Sequence, residues 1–149
     1  MVFKISFLLI TLLCSTNAFA QTISKEEKTV QQTIENIFAA LTNADTASLK
    51  LYCTTKVTFY KYGQIWTIDT LIQKVIQSKS IPDFKRTNSF EFVSTTVNKQ
   101  TAWATYYLQS TFNRNGKEEL VKWMETVVLL KEKRNWKVAV LHSTRLTAK

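Results

Sequence analysis

Up to Pro82 the apolar positions of the chain recur at helical spacing, and beyond Arg86 they alternate. Ser24-Lys25-Glu26-Glu27 has the form of a capping box, in which a serine hydroxyl takes the N–H three residues on and a glutamate reaches back. Val30, Ile34, Ile37, Phe38 and Leu41 then fall on one face, which predicts an amphipathic helix ending near Thr42-Asn43. Asp45 stands where it caps a short second helix carrying Leu49 and Tyr52. The run Val57-Thr58-Phe59-Tyr60-Lys61-Tyr62 predicts a strand closed by Gly63. Thr67 or Asp69 caps a third helix with Ile68, Leu71, Ile72, Val75 and Ile76 on one side, and Pro82 ends the helical part.

The alternating part divides into strands near 87–97, 101–113, 118–131 and 135–146, separated by short polar turns. Asn115-Gly116 is the strongest turn signal, because both residues tolerate the positive φ of a type I′ hairpin. Helices followed by an antiparallel meander define an α+β fold of one domain, with no internal repeat or linker. A two-residue turn at Asn115-Gly116 pairs Arg114 with Lys117, Tyr106 with Glu125 and Leu108 with Trp123. A four-residue loop over 132–135 pairs Lys131 with Trp136 and places Glu125 opposite His142. One sheet face then carries Ala102, Ala104, Tyr106, Leu108, Trp123, Glu125, Val127, Leu129, Trp136, Val138, Val140 and His142, and suits the helices. The other carries Thr105, Tyr107, Lys122, Met124, Thr126, Ser143 and Arg145, and suits solvent or a partner subunit.

Ahead of these elements, Lys4 precedes the apolar run Ile5 to Leu13, and the segment ends in Ala18-Phe19-Ala20. This reads as a signal peptide over residues 1–20 with cleavage before Gln21, leaving a domain over 21–149 that is exported to the periplasm or secreted. The run is shorter than the roughly 20 residues a membrane-spanning helix needs, and no later segment supplies a span. A lipid anchor at Cys14 is the weaker reading, because bulky Leu13 precedes it.

Composition narrows the chemistry. The 149 residues include 20 Lys or Arg against 11 Asp or Glu, one histidine, two cysteines and two glycines. Two glycines cannot form a phosphate-cradling loop, and one histidine cannot form a multi-histidine metal site, so neither metal nor cofactor is implied. Loss of residues 1–20 removes only Lys4 among the charged residues, so the net charge falls from +9 to +8. Cys53 is then without an intramolecular partner and is expected as a buried, inert thiol. Basic residues are scattered among acidic ones and the aromatics follow strand alternation, which argues against a nucleic-acid groove.

Glu125 and His142, placed together on an apolar face, would shift each other's pKa and could act as acid and base. The alternative is a buried hydrogen-bonded pair of structural value only. A sheet covered by helices on one side tends to leave a cavity there, and an apolar cavity with few polar groups is the default ligand site.

The C-terminal hairpin is the most distinctive stretch: Glu125-Thr126, Val128-Leu129-Leu130-Lys131, Asn135-Trp136-Lys137-Val138 and Leu141-His142-Ser143. With the helical N-terminal part, it resembles the nuclear transport factor 2-like superfamily, especially its SnoaL-like members. The Thr126, Trp136, His142 spacing is also similar to the association domain of calmodulin-dependent kinases. The resemblance implies a cone of three N-terminal helices packed on a curved antiparallel sheet, an apolar cavity between them, and a homodimer. It implies that His142, Glu125, Tyr106, Trp123 and Trp136 lie at the cavity, with Tyr52 or Tyr60 added from the helical side. Isomerase members of the superfamily use an aspartate base, yet Asp45, Asp69 and Asp83 all stand at caps or loops. A glycine common before the family's tryptophan is missing from the turn Glu132 to Asn135. Three functions follow as expectations: binding of a small apolar ligand, an isomerase, cyclase or dehydratase using His142 and Glu125, or a dimeric interaction module. The first is preferred.

Overall fold

The structure, a computed structural model, describes residues 23–147. The elements follow in the order α1 (Lys25–Asn43), α2 (Thr46–Tyr52), β1 (Cys53–Lys61), β2 (Gln64–Trp66), α3 (Ile68–Lys79), β3 (Lys85–Asn98), β4 (Thr101–Arg114), β5 (Lys117–Glu132) and β6 (Asn135–Leu146). Local chemistry accounts for their boundaries. Ser24 and Glu27 form the reciprocal capping box on α1, Asp45 caps α2 through the Ser48 N–H, and Thr67 caps α3 through the Thr70 N–H. Asn115 and Gly116, with φ of 52° and 70°, make the type I′ turn between β4 and β5.

The sheet order is β2-β1-β6-β5-β4-β3. Strands β3 to β6 form the expected antiparallel meander, but the sheet as a whole is mixed, because β1 lies parallel to β6. The meander leaves one edge of β6 unpaired, and β1 covers it. A pairing between the first strand and the last leaves no trace in alternation, which reports only which side of a strand is buried. β2 extends β1 through a tight turn at Tyr62-Gly63, both at positive φ.

The β4–β5 register has Tyr106 opposite Glu125 and Leu108 opposite Trp123, as the turn dictates. The β5–β6 register begins as expected, with Lys131 opposite Trp136 and Leu129 opposite Val138, and then slips: Val128 faces Val140. Ala139 is the extra residue of a β-bulge, so every later residue of β6 changes face. Glu125 therefore faces Ser143, and His142 faces Thr126 on the outer side. Val140 and His142 leave the inner face, and Leu141 and Ser143 take their places among the buried residues. The loop itself is two residues, Lys133-Arg134, with φ of 47° and 74°. A second bulge at Val93 shifts the pairing of β3 with β4.

Helix α1 buries Val30, Ile34, Ile37 and Phe38, and Gln31 and Thr42 tie it to Thr95 and Asn88 of β3. Helix α3 contributes Leu71, Ile72 and Val75 to the same core. Cys53 is buried among apolar groups, and desolvation pushes its thiol up to about 12. Among the described residues, no helix is long and apolar enough to cross a membrane. The expected signal segment and Cys14 lie outside the described residues.

Candidate functional site

Between α1, α3 and the inner sheet face lies a cavity of about 190 Å³. Its apolar walls come from Ile37 and Phe38 of α1, Leu71 and Val75 of α3, and Phe59, Phe112 and Trp123 of the sheet. Alternation puts these sheet residues there: Val57, Phe59 and Lys61 are the inward set of β1, and Val121, Trp123 and Glu125 that of β5. Phe112 meets Trp123 edge to face, with centroids 6.1 Å apart.

Two cationic side chains interrupt this wall. Lys61 lies 5.8 Å above the Trp123 ring and reaches past it to Glu125, Nζ to Oε1 3.3 Å. Arg86, one residue into β3, rests its guanidinium against the rings of Phe38 and Phe112, 5.4 and 5.0 Å from their centroids. Arg86 Nε donates to Asn88 Oδ1 at 2.8 Å, and Nη2 donates to Ser110 Oγ at 3.1 Å. These acceptors are neutral, and Arg86 takes part in no ion pair among the described residues. Desolvation lowers its pKa to about 10, an effect that the charge of Glu125 partly offsets. It remains a cation at neutral pH.

Behind Trp123 the fully buried Glu125 collects three donors: Ser143 Oγ at 2.7 Å and Lys61 Nζ on Oε1, and Tyr106 OH at 2.8 Å on Oε2. A buried carboxylate is tolerable only when paired and hydrogen-bonded in this way. Burial, reinforced by the adjacent carboxylate, pushes the Tyr106 hydroxyl well above its ordinary value and keeps it a donor. The indole Nε1 of Trp123 is buried and has no hydrogen-bond partner in the structure.

The residues expected at one site are thus distributed over three. Trp123 lines the cavity, and Tyr106 and Glu125 form the polar layer beneath it. Tyr52 and Trp136 line a separate groove beside α1 and the β5–β6 turn. Tyr60 and His142 lie side by side on the outer face, rings 6.4 Å apart and both exposed. His142 and Glu125 are on opposite faces of the sheet, so the acid–base pair is not assembled, and the bulge at Ala139 is the reason. Asp45, Asp69 and Asp83 stand at the α2 cap, in the first turn of α3 and in the loop before β3. Among the described residues, no group of three or more His, Cys, Asp or Glu side chains converges for a metal.

Sequence reasoning missed Lys61, Arg86, Phe112 and Ser143. Lys61 was accessible from parity, since it shares its side of β1 with Val57 and Phe59. Arg86 lay just outside the expected strand, and Ser143 came inward only through the bulge.

Helices covering one face of such a sheet, with a cavity beneath, define the nuclear transport factor 2-like class of domain. Within that class the chain belongs to the SnoaL-like domain family, whose profile matches residues 30–146. No curated protein sequence gives a significant match. Among solved structures, the CaMKII hub of S. rosetta superposes with a TM-score of 0.70 at 17% identity, over 83% of this chain and 99% of that one. A nuclear transport factor 2-like superfamily protein from Salmonella enterica gives 0.70 at 16% identity over 83% and 92%. A ketosteroid isomerase-like protein from Erwinia carotovora gives 0.68 at 13% identity over 85% and 100%. At these identities the likeness is one of fold.

Proposed function

We propose that this is an exported ligand-binding domain that holds one small, largely apolar molecule in the cavity between helices and sheet, the helices and curved sheet closing around it as a cone. The observation that carries the reading is the cavity itself. An enclosed apolar space of about 150 Å³ is enough to bind benzene, and the space here, about 190 Å³, has aromatic walls. A single ring or a short branched chain fits that volume. Binding is favoured over catalysis because Glu125 is engaged by three donors and His142 faces away. The fold is shared by a kinase hub and an isomerase-like protein, so it does not choose between them.

The reading is tested by screening single-ring compounds by thermal shift and calorimetry. Val75→Trp fills the cavity from α3 and is expected to abolish binding while the circular dichroism spectrum is retained. Binding that survives this substitution would place the ligand elsewhere.

The outer sheet face supports a homodimer as a second property. Trp103, Tyr107, Met124 and Leu130 are large apolar side chains left 38–40% exposed on adjacent strands, in two groups either side of the Thr105–Thr126 pair, and exposed apolar surface on one face favours an interaction there. Sedimentation equilibrium is expected to give a dimer that Tyr107→Glu dissociates.

A further inference from the structure

We propose that the ligand of this cavity carries a carboxylate head, placed against Arg86, on a single-ring or short-chain apolar body. The inference rests on the cavity being a ligand site and specifies what kind of ligand it takes.

The charged side chains that line the cavity, Lys61, Lys74 and Arg86, are all cations. Arg86 uses Nε and Nη2 on Asn88 and Ser110, and among the described residues no hydrogen bond engages Nη1. Lys61 has one partner, Glu125, for an ammonium that can donate three hydrogen bonds. Lys74 adds a further positive charge from α3. Of the other polar lining groups, Trp66 Nε1 is held by Gln64, Ser78 donates to the Lys74 carbonyl, and the Tyr62 hydroxyl can donate or accept. No Asp or Glu lines the cavity.

A neutral apolar ligand would desolvate the guanidinium without giving Nη1 an acceptor. An acceptor-only anion supplies one, and a carboxylate is planar, as the guanidinium fork is. Charge bookkeeping agrees. The Lys61–Glu125 pair is neutral overall, so Arg86 and Lys74 are the cations of the cavity wall without an ion-pair partner among the described residues. Burying such a group is costly until a counter-charge arrives.

The test uses the purified full chain and three probes in calorimetry: phenylacetate, phenylacetamide and inorganic phosphate. A charge-assisted hydrogen bond in a desolvated site predicts that the acid binds roughly ten- to hundredfold more tightly than the amide. Phosphate, lacking an apolar body, is expected to bind more weakly than the acid. In Arg86→Gln the preference of acid over amide is expected to fall to within about twofold. Should that variant not fold, the wild type still decides the matter by NMR. The Arg86 guanidinium N–H resonances are expected to move with the acid and stay in place with the amide. Equal affinity for acid and amide, both abolished by Val75→Trp, would overturn the carboxylate head and leave the apolar cavity reading intact. Phosphate binding as tightly as the acid would also overturn the proposal, by showing an anion site without an apolar subsite. If neither ring compound binds at millimolar concentration, both readings fall.

Discussion

The bulge at Ala139 decides which residue supports the buried glutamate, and a pair of substitutions tests it directly. Ser143→Ala removes a 2.7 Å hydrogen bond to Glu125 Oε1 and leaves that oxygen with Lys61 alone. Hydrogen bonds to charged groups contribute about 1.5–3 kcal/mol each, and in a fully buried site water cannot replace the lost donor. A folded unit of about 125 residues has an unfolding entropy near 0.26 kcal/mol per kelvin, so the melting temperature is expected to fall by about 6–11 °C. His142→Ala removes an exposed ring that touches only the outer surface. Its cost is expected within about 0.5 kcal/mol, or about 2 °C. Thermal and urea unfolding followed by circular dichroism measures both. In the unbulged register the order reverses, because His142 would face Glu125 and Ser143 would face solvent. A larger loss in His142→Ala than in Ser143→Ala would therefore refute the bulge and the polar network built on it.

Two further outcomes follow from backbone strain and burial. Arg134 holds φ 74° in the β5–β6 turn without being glycine; relief of the left-handed cost, less glycine's greater chain entropy, predicts that Arg134→Gly raises stability by about 0.5–1 kcal/mol in urea unfolding. Tyr106 has its folded pKa raised well above 10 by burial and by Glu125. Its contribution is thus fully present below the unfolded value near 10 and is lost as pH rises beyond it. The urea midpoint is expected to drop above about pH 10 in the wild type, and less steeply in Tyr106→Phe. An identical alkaline slope in the two proteins would remove Tyr106 from the account.

Helix caps, turn chemistry and the face of each regular strand were legible because each depends on residues close together in the chain. Ser24 with Glu27, Asp45, Thr67 and Asn115-Gly116 stand where expected, and the Tyr106–Glu125 and Leu108–Trp123 pairs follow from one tight turn. The site was less legible for a specific reason. Alternation carries a register forward only until a residue is inserted, and Ala139, a small apolar residue among others, gives no sign that it bulges. One extra residue exchanged His142 for Ser143 beside Glu125. The loop over 132–135 is shorter than expected without any change of register: Lys133 and Arg134 accept positive φ and close it in two residues, and Lys131 still faces Trp136.

By itself, the amino-acid order determined an α+β domain of this family, a buried glutamate facing Tyr106, and an apolar inner sheet face, because hydrophobic period and local capping act over a few residues. Tertiary structure alone decided the rest. Pairing of β1 with β6 turned an antiparallel meander into a mixed sheet and carried Lys61 to Glu125, and the closure of α1 and α3 over the sheet placed Arg86 and Trp123 in one cavity wall. These contacts join residues tens of positions apart. Their geometry is set by how whole elements pack, which no short stretch of sequence encodes.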